Sequence, residues 1–208
     1  MNKKYFVAVA GNIGSGKSTL TSLLSKRFGW DPFYESVEDN PYLSDFYGDM
    51  LRWSFNLQVY FLSHRFQMHK KIVESSQSVI QDRTIYEDAQ IFARNIHTIG
   101  RMDDRDYKNY VALFNTMIDY LKTPDLLIYL RANVDTLIKQ INLRGRSFEK
   151  SIERNYLEQL NELYEDWINN YKLGKLIIIE SDELDFVNNE NDLNYIENKI
   201  SQKLLSIK

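Results

Sequence analysis

The sequence predicts an α/β fold in which a five-stranded parallel sheet is flanked by helices on both faces. Short apolar runs typical of buried strands alternate with longer stretches whose apolar residues recur at helical spacing. Such alternation indicates a parallel sheet. The chain has 208 residues and little linker-like sequence, so we expect residues 1–208 to form a single domain.

The elements follow from these patterns in chain order. Strands are predicted at residues 5–10, near 32–34, and at 78–81, 126–130 and 175–179. Helices are predicted at residues 18–28, 51–74, 86–99, 104–121, 134–143, 152–171 and 193–206. Asn133 and Asp192 are predicted N-caps, because their side chains can accept a hydrogen bond from the first helical turn.

A glycine-rich loop between the first strand and the first helix is the most informative stretch. It matches the phosphate-binding pattern G-x-x-x-x-G-K-[ST] at every fixed position. Glycines let the backbone fold around a phosphate chain, and the helix N-terminus adds positive potential. We expect Lys17 to reach the β- and γ-phosphates of a nucleotide and the Ser18 hydroxyl to ligate Mg²⁺. The expected phosphate contacts are Gly11, Asn12, Ile13, Gly14, Ser15, Gly16, Lys17 and Ser18.

Acidic side chains follow two neighbouring strands of the predicted sheet. Glu35 comes after the second strand, and Asp82 with Arg83 comes after the third. Ligands bind at the carboxyl ends of parallel strands, so both carboxylates are expected beside the γ-phosphate. One can accept a hydroxyl proton as a general base, the other can hold Mg²⁺, and Arg83 can clamp substrate or phosphate. For Glu35 alone, a solvated loop carboxylate is the competing interpretation.

Arg144 and Arg146 flank Gly145, immediately after the helix predicted at residues 134–143. Their guanidinium groups suit a mobile lid that closes over phosphates and neutralises charge in the transition state. The alternative is a basic helix C-terminus that complements the helix dipole. Because the same chain carries a phosphate loop, the lid is the favoured interpretation.

A mixed polar and aromatic face is predicted on the helix at residues 51–74. Gln58 and Arg65 lie two turns apart on this face, and Asp88 and Phe92 form an i, i+4 pair on a later helix. Such a set suits a planar heterocycle with hydrogen-bonding edges. For Phe92, packing in the core is the competing interpretation.

Composition limits the classes of partner. The net charge of −3 gives no basic footprint for a nucleic acid polymer, and the absence of cysteine excludes disulfides and thiolate metal sites. The apolar runs are much shorter than the roughly 20 residues of a membrane span. We therefore expect a cytoplasmic protein without a membrane or nucleic acid partner.

These stretches together resemble the deoxyribonucleoside kinase family, which contains deoxycytidine, deoxyguanosine and insect multisubstrate kinases, over nearly the whole chain. The stretch from Gly11 to Thr19 is similar to the family's phosphate loop. Asp82-Arg83-Thr84 resembles its Glu-Arg-Ser motif. The resemblance implies the P-loop kinase fold, ATP as phosphate donor with Mg²⁺, and a homodimer. It also implies a lid at about residues 144–152.

The resemblance further implies roles at the acceptor sugar. Glu35 matches the family's general base, and Arg83 would help orient the 5′-hydroxyl and Glu35. Tyr47 and Glu149 fall where the family binds the 3′-hydroxyl of deoxyribose.

At the base, Gln58 falls where the family reads the base edge and Phe92 where it stacks. Arg65 and Asp88 fall where its deoxycytidine and purine kinases carry an Arg–Asp pair. Deoxyadenosine is favoured as the acceptor, with deoxyguanosine and deoxycytidine left open.

At the donor nucleotide, the loop that contains Asp182 and Phe186 resembles the one that cups the ATP adenine.

Two other functions share the phosphate loop. A nucleoside monophosphate kinase would need arginines for the acceptor's phosphate, for which Arg52, Arg83 and Arg101 are the candidates. A regulatory nucleotide switch would read guanine through N-K-x-D, and the related stretch at residues 198–201 lacks the acidic residue.

Overall fold

The computed structural model describes residues 3–35, 40–146, 149 and 151–207. Within them five parallel strands form one sheet, so the predicted α/β fold is confirmed. The strands are β1 Phe6–Ala10, β2 Asp31–Phe33, β3 Val79–Asp82, β4 Leu126–Arg131 and β5 Lys175–Glu180. Their order across the sheet is β2-β3-β1-β4-β5.

Helices pack on both faces of this sheet. In chain order they are α1 Lys17–Phe28, α2 Leu43–Gly48, α3 Met50–Glu74, α4 Ile85–Glu87, a π-helical segment Asp88–Ala93, α5 Arg94–Thr98, α6 Asp104–Ile118, α7 Val134–Arg144, α8 Arg154–Asn169 and α9 Glu190–Leu205. Across the described part of the chain, none of the helices combines the length and apolar character that a membrane span requires.

The central strand β1 is buried on both sides, because its alternating side chains enter two different cores. Val7 and Val9 pack in the core formed with α1 and α9. Phe6, Ala8 and Ala10 pack in the core formed with α3 and α8. Burial on both faces explains why the strand reads as a continuous apolar run rather than as an alternating one.

The strand register brings the candidate residues to one edge of the sheet. Val9 pairs with Asp82, so the loop after β1 and the turn after β3 begin side by side. Phe33 pairs with Gln81, which places the residues after β2 next to the same turn. The phosphate loop, Asp82 and Glu35 therefore meet at the carboxyl edge.

Helix α3 carries a stripe of buried polar side chains, with Arg65 paired to Glu35 near this edge and His69 beside Phe6 at the opposite end of β1. Ser54, Gln58, Arg65 and His69 are all buried along it, among apolar residues of the same face. Burial of a polar side chain is costly unless it finds a partner, so the stripe marks a face built for polar contacts.

Two sequence predictions about the elements are wrong, and one helix was missed. Helix 86–99 is not one regular helix, because residues Asp88–Ala93 form a π-helical turn, a distortion common at functional sites. Helix α9 begins after Asn189, whose side chain accepts from the Asn191 amide, and Asp192 instead accepts from the Asp185 amide. The short α2 was not predicted. The Asn133 cap is confirmed.

Candidate active site

One cavity at the carboxyl edge of the sheet collects most of the predicted site residues. Its wall combines phosphate-loop residues, charged residues at strand ends, aromatic side chains and the lid arginines. The lining residues are Ile13, Gly14, Lys17, Ser18, Glu35, Leu43, Phe46, Tyr47, Leu57, Gln58, Phe61, Asp82, Arg83, Asp88, Phe92, Arg144, Arg146, Glu149 and Tyr156.

The phosphate loop has the backbone conformation that its glycines permit. Gly14 and Gly16 have φ values of 85° and 91°, in the left-handed region that disfavours other residues. A Cβ atom on Gly14 would lie 2.7 Å from the Leu137 carbonyl oxygen. The loop therefore requires glycine for both conformation and space.

Lys17 lies buried at the end of this loop. Its Nζ donates to the Asn12 carbonyl oxygen at 2.8 Å. Burial lowers the pKa of Lys17 to about 7, and the nearby Arg83 adds to the effect. A bound phosphate would supply the negative charge that favours the protonated amine.

Ser18 and Asp82 form a pair that fits Mg²⁺. The Ser18 hydroxyl donates to Asp82 Oδ2, while Asp82 Oδ1 is buried without a hydrogen-bond partner among the described residues. Mg²⁺ prefers oxygen ligands and is commonly held by one or two protein groups together with substrate phosphates. The donor set and the unpaired oxygen suit such an ion.

Glu35 is held by two cations and is not a solvated loop carboxylate. It forms an ion pair with Arg65 and a second with Arg83 Nε at 3.3 Å. Burial alone would raise its pKa, but the attraction of Arg65, Arg83 and Lys17 outweighs burial and lowers the pKa to about 2. Glu35 is thus kept ionised and aimed at the cavity beside Lys17.

Asp88 shares the guanidinium of Arg65 with Glu35. Arg65 Nε donates to Asp88, whose side chain lies on the cavity wall. Burial raises the pKa of Asp88 to about 7, although Arg65 opposes the shift. Arg65 itself lines a groove on the other side of Glu35 and Phe61. Direct contact of Arg65 with a base therefore stays a prediction.

The remaining acceptor residues line the same cavity. Gln58 is buried, and its Oε1 has no hydrogen-bond partner among the described residues, so it can accept a bond from a ligand. The Arg83 guanidinium carbon lies over the Phe92 ring, 4.3 Å from its centroid. Tyr47 lies on the wall near Glu149, and burial raises the pKa of its hydroxyl, which stays protonated.

The two lid arginines are engaged with one buried carboxylate. Arg144 binds Glu149 through two hydrogen bonds of 3.0 and 2.6 Å, and Arg146 lies 3.5 Å from the same carboxylate. Binding of a sugar hydroxyl by Glu149 therefore stays a prediction. Ser147, Phe148 and Lys150 of the predicted lid lie outside the described residues.

A second depression lies on the opposite side of the phosphate loop. It is lined by loop residues, by α7 residues and by the segment after β5, including Ser15, Gly16, Thr19 and Phe186. A Cβ atom on Gly16 would lie 3.0 Å from Phe186 Cζ, so the ring packs directly on the loop. Asp182 lies farther out, where it accepts a bond from the Asn133 amide at 2.9 Å.

The chain matches a family model described as deoxynucleoside kinase over residues 7–206. The chain belongs to the deoxynucleoside kinase family. A deoxyadenosine/deoxycytidine kinase of Bacillus subtilis is 41% identical over 201 residues, covering 96% of this chain and 93% of the relative. A deoxyguanosine kinase of Lactobacillus acidophilus is 39% identical over 210 residues, covering 97% of this chain and 91% of the relative.

Solved structures agree with this family. Deoxyadenosine kinase from M. mycoides with bound dATP superposes with a TM-score of 0.84 at 33% identity, covering 95% of this chain and 99% of that one. The predicted resemblance, the P-loop kinase fold and the activity class of an ATP-dependent deoxynucleoside kinase are thereby confirmed.

Sequence reasoning missed several polar residues that support the site of this kinase. Glu87 is fully buried beneath the phosphate loop, and Tyr164 and Asn161 reach the site from α8. Asn161 accepts from the Asn12 side chain at 2.7 Å, which ties the phosphate loop to α8. The one available signal was the spacing Thr84-x-x-Glu87, a capping-box pattern.

Proposed function

We propose that this kinase transfers the γ-phosphate of ATP to the 5′-hydroxyl of a deoxynucleoside and prefers deoxyadenosine. The observation that carries the proposal is one cavity in which Glu35 shares a wall with Lys17 and Arg83. An ionised carboxylate beside phosphate-binding cations is the arrangement needed to take a hydroxyl proton while the oxygen attacks.

The proposed donor site is built on the phosphate loop. Residues 11–19 cradle the phosphates, and Phe186 and Asp182 border the adenine. Lys17, Arg144 and Arg146 stabilise charge on the transferring phosphoryl group. Mg²⁺, held by Ser18 and Asp82, would neutralise charge on the β- and γ-phosphates.

In the acceptor site, Glu35 is the general base, and Arg83 orients both Glu35 and the 5′-hydroxyl. Tyr47 and Glu149 bind the 3′-hydroxyl. They fill the space that a ribose 2′-hydroxyl would need, which favours deoxyribose. Because Glu149 is paired with the arginines of the lid, we expect it to reach the sugar once these arginines engage phosphate.

The base is proposed to lie against Gln58, Arg65 and Asp88, with Phe92 stacking on it. A carboxylate beside a glutamine suits a base with an exocyclic amino group, which thymine lacks. Adenine, cytosine and guanine all carry one. The deoxyadenosine/deoxycytidine kinase of B. subtilis and the deoxyadenosine kinase of M. mycoides support adenine as the preferred base.

The positions of the three candidate arginines argue against a nucleoside monophosphate kinase. Such an enzyme needs free cations for the acceptor's phosphate. Arg52 is exposed and stacks on Trp53, Arg101 is exposed, and Arg83 already pairs with Glu35. The candidates are therefore outside the cavity or engaged.

The test is product analysis with labelled ATP, Mg²⁺ and each deoxynucleoside or its monophosphate. We expect monophosphates to form from deoxynucleosides, with the highest kcat/KM for deoxyadenosine. Diphosphates formed only from monophosphates would overturn the proposed acceptor. ATP binding without any phosphorylation would support a regulatory switch.

We further propose a cytoplasmic homodimer that acts in nucleotide salvage. The resemblance to the family implies an interface through the helices that follow the second and third strands, and Val73 on α3 and Leu113 on α6 are exposed on such helices. Sedimentation analysis of the whole chain tests this proposal, and a monomer at micromolar concentration would contradict it.

A further inference from the structure

A fully buried glutamate beside the active site, Glu87, makes contacts that its role in the local fold does not explain. Glu87 Oε2 accepts from the Thr84 amide at 2.7 Å and from the Thr84 hydroxyl at 3.2 Å. These bonds belong to a capping box that starts α4. The capping role uses only one carboxylate oxygen.

The other oxygen points into the catalytic machinery. Glu87 Oε1 accepts from the Tyr164 hydroxyl at 2.8 Å and from the Gly11 amide at 3.3 Å. Gly11 begins the phosphate loop, and Tyr164 lies on α8, the helix that follows the lid. One carboxylate thus joins the phosphate loop, the turn after β3 and α8.

Tyr164 extends this link to Arg83. Its hydroxyl gives its single proton to Glu87 and accepts from Arg83 Nη1 at 3.2 Å. A tyrosine hydroxyl has one proton, and Glu87 accepts it. The lone pairs of the Tyr164 oxygen are therefore left to face the Arg83 guanidinium. Arg83 in turn faces Glu35.

The backbone of Arg83 needs such support. Its φ of 65° lies in the left-handed region, which is costly for a residue other than glycine. The Arg83 amide donates to the Val9 carbonyl at 2.9 Å, and Glu87 holds the next amide, that of Thr84. The surroundings therefore fix both the backbone and the side chain of Arg83.

We propose that Glu87 is a positioning residue for phosphoryl transfer. It acts through Tyr164 on the Arg83 guanidinium and through the Gly11 amide on the phosphate loop. This inference rests on the proposed function, in which Arg83 aligns the 5′-hydroxyl and Glu35. Loss of the link misaligns reacting groups without removing a substrate contact, so kcat should fall much more than KM rises.

The first variant is Tyr164→Phe, which removes only the hydroxyl that joins Glu87 to Arg83. Its matched control is Tyr129→Phe, because Tyr129 is also buried and stacks on Tyr164, but its hydroxyl bonds Glu165 instead. We expect kcat of Tyr164→Phe to fall roughly 10–100-fold with KM for the deoxynucleoside within about threefold. The control should stay within about twofold of wild type in kcat.

The second variant is Glu87→Gln. Glutamine can still complete the capping box at this position, but its amide cannot accept bonds from Gly11 and Tyr164 while also accepting from Thr84. We expect a kcat loss similar to that of Tyr164→Phe, and a double variant that is no slower than the slower single one. Thermal unfolding of each variant sets a temperature at which all are folded.

Two results would overturn the positioning role. One is kcat within about twofold of wild type for both single variants, and the other is losses that multiply fully in the double variant. A wild-type chain that phosphorylates no deoxynucleoside would overturn the proposed function instead. Since the wild type is assayed first, the two failures are distinguishable.

Discussion

Replacement of Glu35 by glutamine tests the proposed chemistry most directly. The substitution keeps the size of the side chain but removes the charge that would accept the 5′-hydroxyl proton. General base catalysis typically contributes about 10²–10⁴ in rate, so kcat should fall by that factor with a modest change in KM. The assay is steady-state phosphorylation of deoxyadenosine with saturating ATP and Mg²⁺.

Glu35→Gln should also affect stability, because Glu35 is paired with Arg65 and Arg83. Its pKa falls from an ordinary 4.5 to about 2. At 1.36 kcal/mol per unit, the ionised form stabilises the fold by about 3 kcal/mol. A depressed pKa gives stability that is present above about pH 4.5 and is lost as the pH falls toward 2. The variant and the wild type should therefore converge in stability in acid.

Glu35→Asp is the control, since it keeps the charge and moves it by one methylene. We expect it to retain more activity than Glu35→Gln and most of the stability at pH 7. Near-full activity of a folded Glu35→Gln would refute the general-base assignment. Equal kcat losses for the two variants, each fully folded, would show that position rather than charge matters.

Three further substitutions test separate parts of the structure. Gly16→Ala should weaken ATP binding at least about tenfold in calorimetry, because φ is +91° and a Cβ would lie 3.0 Å from Phe186; unchanged affinity would contradict this loop geometry. Asp88→Asn should lower kcat/KM for deoxyadenosine relative to thymidine by about tenfold, and an unchanged ratio would remove Asp88 from base selection. Burial and, less strongly, Lys122 lower the pKa of His69 from 6.5 to about 4. Denaturant titrations should therefore show up to about 3 kcal/mol of folding stability lost as the pH falls from 6.5 to 4. His69→Gln should give a flatter dependence of stability on pH.

The parts of the site predicted from sequence are those set by local spacing. The phosphate loop is a contiguous string, Glu35 lies two residues after the end of β2, and Asp82 is the last residue of β3. Parallel strands bring their carboxyl ends to one edge, so two short patterns at a distance in sequence become neighbours in space. This is why most of the predicted residues line one cavity.

The missed parts depend on contacts that sequence spacing does not encode. Helix α2 has only six residues, too few for a periodic pattern, and it is held by buried Leu43 and Phe46. The π-helical turn leaves no sequence signature that separates it from a regular helix. Glu87 can be recognised in the sequence as a capping residue. The partners of its other carboxylate oxygen, Gly11 and Tyr164, lie 76 and 77 residues away in the chain.

Arg65 shows how the structure changes the meaning of a correct residue. The sequence suggested a contact with the base, and the structure has one guanidinium between Asp88 and Glu35. Through this guanidinium the residue expected at the base and the proposed general base are electrostatically coupled. A base that hydrogen-bonds Asp88 would contact a carboxylate paired with Arg65, one of the three cations that lower the pKa of Glu35. If the proposed roles of Asp88 and Glu35 hold, recognition of the base and alignment of the 5′-hydroxyl depend on one shared side chain, so substitution of Arg65 should disturb kcat as well as base preference.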